Sequence, residues 1–316
     1  MSVLKTPSLA LALLLMVAFT GIEKRSAEIG KLKYEYETAN QRFDGLYTSY
    51  YANGQKKASG SFENNCRTGT WTIWDKNGKV KIKREYQTPF NYNQLIPTNS
   101  SSEVYSLKKG EGGFIEYYDF KQDDILWSKR IWRNIPAAEN PALFNQDHLF
   151  MVLFELGLNG AIQLYTTDND EFRKKVDLAT FAYLDLNNKQ VVEYEIKEET
   201  FYDKARKLSE TRIIGICPIL KDKTTGKKEK LFWVYYPETR VYLAYEKPEG
   251  VVLPEKIKSI DDLFFYRCFY GQIVKESNVK DLRIDEYKKS EEAILKEAEK
   301  IELRIIEAEH DLWLND

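Results

Sequence analysis

The order of apolar and polar positions sets apart the start of the chain. An unbroken apolar run from Leu9 to Phe19 follows Lys5, and Thr20, Gly21 and the charged Glu23, Lys24 and Arg25 come after it. A weakly basic start, a short apolar segment and then small residues is the order of a secretory leader. A membrane span needs about 20 apolar residues, so the run predicts a leader over residues 1–21 and no direct membrane span. Beyond it, residues 22–90 alternate in short strand-like stretches. Ile29 to Phe43 reads as a lead-in strand. Then Gly45, Tyr47, Tyr50, Asn53 and Gly54 recur as Gly69, Trp71, Trp74, Asn77 and Gly78, each 24 positions later. Each unit reads as strand, Asn-Gly, strand, and Asn-Gly favours a type I′ hairpin turn, in which both central residues have positive φ. The aromatics within each unit lie three apart. They cannot share one face of a regular strand, which predicts a twist or bulge. Tyr47, Tyr50, Trp71 and Trp74 are expected as aromatics on the surface of the repeat.

A Ser/Asn/Pro-rich stretch, Thr88 to Ser102, and the glycines at 110, 112 and 113 predict a linker over 91–113. From Phe114 the periodicities change. Leu149, Val152, Leu153, Leu156 and Ile162 form an apolar stripe, which predicts a helix over 145–161. Four β-branched and aromatic stretches predict strands at 191–201, 212–220, 231–236 and 240–245, with Pro237 to Thr239 as a hairpin turn. Ser259 and Asp262 form a capping pair for a helix reaching about Ile273. The segment from Lys275 to Val279 then reads as a polar loop. Ser290 caps a last long helix from Glu291 to Trp313. Its Ile294, Ala298, Ile301, Ile305, Ala308 and Leu312 make a seam suited to a sheet or a partner helix. The expected fold is α+β: a small antiparallel hairpin sheet and a larger mixed domain over 114–316 that ends in a long helix.

Charge narrows the function classes. Lys and Arg total 47 against 49 Asp and Glu, and nucleic-acid binders usually carry a basic excess. Aromatics make up 14% of the chain, with 21 Tyr, which suits strand packing and protein–protein contact. Cys66, Cys217 and Cys268 lack CxxC spacing. Buried thiols are the main expectation, with a Cys217–Cys268 disulfide as the alternative. The two histidines, His148 and His310, have no HExxH partner. No GxSxG elbow or phosphate loop occurs. Acidic doublets at Asp123-Asp124, Asp168 with Asp170, and Asp261-Asp262 are what 49 acids supply by chance. No catalytic residue, cofactor or metal is expected.

Two resemblances add to this. The repeat at Gly45 to Tyr86 resembles MORN-type repeats, in particular the variant of the YwqK antitoxin-like family. The later chain resembles the GldN family, called PorN in non-gliding relatives. Six blocks in order carry that resemblance. They are Trp127 to Arg133, Arg212 to Pro218, Leu231 to Arg240, Asp261 to Phe264, Lys275 to Val279, and Glu309 to Trp313. It implies a non-enzymatic subunit of the type IX secretion and gliding motility machinery of the Bacteroidota. Such a subunit lies in the periplasm beneath the outer membrane, in a ring with a GldK (PorK) lipoprotein and in contact with a GldM (PorM) motor subunit. The family has no catalytic residues to transfer. Candidate partner-facing residues are Trp127, Lys129, Arg130, Trp132, Arg133, Lys275, Glu276, Ser277, Asn278, His310 and Trp313. The other function considered is a periplasmic binding or antitoxin-like module in which the hairpin repeats carry the activity.

Overall fold

The computed structural model describes residues 21–39, 42–63, 65–86, 109–248, 250, 251, 253, 255 and 257–315. The leader's apolar run and most of the expected linker lie outside the described residues. The fold is α+β.

The first sheet is an antiparallel meander of six strands in sequence order: β1 (Glu23–Ile29), β2 (Leu32–Ala39), β3 (Arg42–Tyr50), β4 (Lys56–Glu63), β5 (Cys66–Trp74) and β6 (Val80–Tyr86). The two repeat turns are built alike. Gly54 N–H donates to the Tyr51 carbonyl and Tyr51 N–H to the Gln55 carbonyl. Gly78 and Asp75 repeat both bonds with Asp75 and Lys79. Gly54 and Gly78 have φ of +81° and +80°, whereas Asn53 and Asn77 are not in that region. The expected type I′ turn is therefore replaced by a longer loop in which only the glycine needs positive φ. The Asn side chain serves the loop: Asn53 Oδ1 accepts from Gln55 N–H, and its Nδ2 donates to the Lys76 carbonyl of the neighbouring repeat. The expected irregularity is present, as the ladder slips between Ser49 and Tyr50 and between Ile73 and Trp74. Tyr47 and Trp71 point into the core while Tyr50 and Trp74 are half-buried. This corrects the expectation of surface aromatics at Tyr47 and Trp71. Tyr34, Tyr36, Phe43, Phe62 and Ile73 join them on the same face.

The second sheet is larger. Its strands are β7 (Ile125–Pro136), β8 (Leu164–Tyr165), β9 (Lys189–Asp203), β10 (Leu208–Asp222), β11 (Lys228–Lys230), β12 (Trp233–Tyr235) and β13 (Gln272–Glu276). They lie in the order β13-β7-β9-β10-β12-β8, with β11 also on β10, and every pairing is antiparallel. The helices are α1 (Pro141–Phe144), α2 (His148–Leu158), α3 (Tyr236–Leu243), α4 (Ile260–Phe265), α5 (Ile284–Tyr287) and α6 (Glu291–Asn315). Leu149 and Leu153 of α2, Leu243 of α3 and Leu263 of α4 meet Tyr194, Ile196 and Ile216 of the sheet in the main core. Each such buried side chain contributes about 1.5–3 kcal/mol.

Four expected elements differ. The stretch expected as a turn and strand, 237–245, is largely helix α3. Pro237 sits in its first turn, where no intrahelical N–H is needed, and Glu238 favours the same end. Helix α4 has the expected Ser259 cap, whose hydroxyl accepts from Asp262 N–H at 3.1 Å, but it ends at Phe265 rather than near Ile273. Arg267 at φ +50° turns the chain there, and Cys268 N–H closes on the Leu263 carbonyl. Lys275 and Glu276, expected in a loop, are strand β13, because the chain after that turn pairs with β7. Helix α2 starts later than expected, after Gln146 and Asp147 take left-handed φ.

Helix α6 forms as expected, with Ala293 N–H on the Ser290 hydroxyl. It carries two apolar stripes. Ala298 and Ile301, with half-buried Ile294 and Ile305, pack against Ile131 and Ile273 of the larger sheet. A second stripe, Leu303, Ile306, His310 and Trp313, faces the hairpin sheet. One helix is thus wedged between both sheets.

Candidate functional site: the seam held by the C-terminal helix

The second stripe of α6 ends in the block from Glu309 to Trp313. His310 is fully buried. Its ring centroid lies 5.4 Å from Trp71, 6.0 Å from Tyr47 and 5.3 Å from Trp313. Neither ring nitrogen has a hydrogen-bond partner. Burial, and then the charges of Arg67, Lys57 and Arg84, hold its pKa well below the usual histidine value. The imidazole is therefore neutral and packs as an aromatic ring. Ion pairs surround it. Lys57 of β4, almost fully buried, pairs with both Glu307 and Asp311 of α6. Arg67 of β5 meets Glu309 at 2.5 Å. The Arg84 guanidinium lies 3.9 Å over the ring of Trp313.

A second buried network joins α6 to the larger sheet. Arg133 of β7 donates from Nε to Glu198 (2.8 Å), from Nη1 to the Gly271 carbonyl (3.0 Å) and from Nη2 to Glu302 (3.0 Å). Arg267 holds the other oxygen of Glu198 at 2.5 Å. Burial alone would raise the Glu198 carboxyl, but Arg267 and Arg133 outweigh it and the net shift is downward. On the other face of β7, Trp132 donates to Asp170 at 2.6 Å. Its ring lies beneath two ammonium groups, Lys275 at 4.3 Å and Lys197 at 5.5 Å. Lys197 and Lys275 are in turn paired with Asp170 and Asp281. The attraction of both cations to the indole face adds to those pairs.

Trp132, Arg133, Lys275, His310 and Trp313, expected to face partners, are thus buried inside this chain. Trp127 is half-buried against the hairpin-sheet core. Lys129, Arg130, Glu276, Ser277 and Asn278 stay nearer the surface along the β7–β13 edge. There Lys129 binds Glu276 and the Ser277 carbonyl, and Asn278 ties Glu276 to Leu282. Leu126 and Val279 are exposed on the same edge. Glu198, Arg267, Arg67 and Arg84 escaped the sequence reading, because each is a charge in an unremarkable strand or loop, and Asp170 enters it only as part of a chance acidic doublet. The one available signal was Glu195 and Glu198 inside a stretch that otherwise reads as a buried strand.

The acidic doublets are spent internally. Asp261 accepts from Arg240 and from the Tyr236 hydroxyl at 2.6 Å, Asp262 pairs with Lys109, Asp124 with Lys204, and Asp168 with Lys174. Among the described residues no group of three His, Cys, Asp or Glu is placed to hold a metal. None of the three cysteines is in a disulfide. Burial pushes the Cys66 and Cys268 thiols up to about 12, and Cys217 sits in the core with Trp132 and Trp233. No helix among the described residues is long and apolar enough to cross a membrane.

Two sheets joined through one helix, with most charges of the seam held in internal pairs, define an α+β protein organised around its own interior contacts. The family model described as gliding motility associated protein GldN matches residues 120–314, more than half of the chain, and the chain belongs to that family. It is accordingly a component of the gliding motility and type IX secretion machinery. The match takes in α6 and leaves the hairpin sheet outside it. No curated protein matches the chain.

Proposed function

We propose that this chain is a non-enzymatic structural subunit of type IX secretion that acts by assembly in the periplasm. It works beneath the outer membrane in a ring with a GldK-type lipoprotein, and it contacts a GldM-type motor subunit. The observation that carries this is the family match over residues 120–314. The proposed layout is a leader over 1–21, a MORN-like repeat region over 22–90, a linker over 91–113 and the family domain from 114. The proposed partner-facing surface is the β7–β13 edge, where Arg130, Asn278 and Val279 are accessible and the neighbouring Trp132 and Lys275 are locked from behind. Rigid support of an exposed patch lowers the entropy lost when a partner orders it. The test is a pull-down from envelope fractions of a strain with a tagged chain, alongside a deletion strain. Recovery of the GldK-type lipoprotein, its loss on Arg130→Glu with Val279→Asp, and a block of type IX cargo secretion on deletion are expected. Unchanged secretion in the deletion strain would sink the proposal.

A further inference from the structure

Between the hairpin sheet and the larger sheet lies a cleft of about 180 Å³. It adjoins a second space of about 130 Å³, and Phe43, Asn65, Arg133, Gly271 and Glu302 line both. The cleft wall carries four guanidinium groups, Arg67, Arg84, Arg133 and Arg267, against three carboxylates, Glu198, Glu302 and Glu309. The pairing is uneven. Glu198 is held by Arg133 and Arg267, Glu302 by Arg133, and Glu309 by Arg67. Among the described residues no carboxylate pairs with Arg84, whose neighbours are the Tyr86 hydroxyl and the Trp313 ring. Arg67 also stacks on Trp313, at 5.2 Å. Two like charges thus converge on one indole with a single carboxylate between them. Two further donors in the wall, Arg67 Nε and the Ser209 hydroxyl, are buried and have no hydrogen-bond partner. An excess cation and unsatisfied donors in a partly desolvated space favour an anion that can accept several hydrogen bonds. Asn65, Thr200 and Thr211 add polar groups to the wall, and Phe62, Phe269 and Ile306 give it an apolar face.

We propose that the cleft is a binding site for a small organic acid, its carboxylate facing Arg67, Arg84 and Ser209 and its apolar body lying against Phe62, Phe269 and Ile306. The site needs both sheets, since Arg67 and Arg84 come from β5 and β6 and Ser209 from β10. It is independent of whether the chain sits in a ring.

The experiment is calorimetric titration of the full chain with N-acetylphenylalanine. N-acetylphenylalanine amide, which lacks the charge, and inorganic phosphate, which lacks the apolar body, serve as the other two probes. Saturable binding of the acid alone is expected, with a change in tryptophan emission, because Arg84 rests on Trp313. Arg84→Gln should weaken it about tenfold or more, the effect of losing a charged hydrogen bond. Ser209→Ala, which removes a hydroxyl with no partner and leaves the fold intact, should weaken it by a smaller factor. Circular dichroism melts of both variants establish that they are folded. Equal binding of the amide or of phosphate, absence of binding by the acid, or unchanged affinity in both folded variants would each overturn the proposal.

Discussion

The ring of His310, near the end of α6, lies 5.4 Å from the ring of Trp71 in the second hairpin repeat, with 45° between their planes. The last block of the family match is thereby packed on a sheet that the match does not include. A neutral, unpartnered imidazole at that contact makes the union of the two parts sensitive to acid. The folded-state pKa is depressed, so below about 6.5 the unfolded chain takes up a proton that the folded chain refuses. Stability therefore falls as pH drops through that window, by up to about 1.4 kcal/mol per pH unit. Glu307, whose carboxyl burial raises above its ordinary 4.5, acts in the opposite direction just above that value. The difference between wild type and His310→Phe isolates the histidine. Urea unfolding from pH 7 to pH 5 should show a clear loss for wild type and a smaller one for the variant. Parallel curves would remove His310 as the cause.

Gly60 of β4 lies beneath Trp71. A Cβ at position 60 would stand 2.2 Å from the indole, which is fully buried and fixed by its Nε1 hydrogen bond to the Ser61 carbonyl at 3.1 Å. Gly60→Ala is expected to cost about 1–3 kcal/mol by overpacking. The exposed control Lys81→Ala should stay within about 0.5 kcal/mol. Chemical denaturation followed by tryptophan emission reads both.

Glu198 is completely buried between two guanidinium groups. Glu198→Gln leaves Arg133 and Arg267 short of a counter-charge and should cost about 3–5 kcal/mol. Because the carboxyl is held below its ordinary 4.5, its contribution is present above that pH and is lost as pH falls through the lower folded value. The variant's deficit should therefore shrink in acid, and a deficit of the same size at pH 7 and pH 3 would contradict the ion-pair account.

With no disulfide, thermal stability should not depend on reductant. Melting midpoints with and without dithiothreitol should coincide. A Cys217–Cys268 bridge would have contributed about 2–4 kcal/mol and given a lower midpoint on reduction.

Elements governed by local rules were legible before the fold. The two Asn-Gly turns, the strands from Val191 and Arg212, the Ser259 and Ser290 caps and the long last helix follow from residue types at short spacing. The family was legible too, from six blocks in order. What failed depended on partners distant in sequence. The chain from Tyr236 to Leu243 has strand-like residues, yet buried Arg240 reaches Asp261 and Tyr236 packs on Phe264, so a helix forms there. Trp132, Arg133, Lys275 and His310 read as interface candidates because aromatic and charged residues are shared by interfaces and by buried ion-pair networks, and composition does not separate the two. The apolar seam of α6 was legible from Ile294 to Leu312; its Ile294 to Ile305 part packs on the larger sheet, whereas Leu312 lies against the hairpin-sheet core. The second stripe, Leu303 to Trp313, was hidden because His310 counts as polar until an aromatic pocket neutralises it. The sequence by itself determined the local elements and the family. Only the tertiary structure decided which charges are buried and that one helix is shared by two sheets, because burial and pairing are properties of neighbours brought from far along the chain.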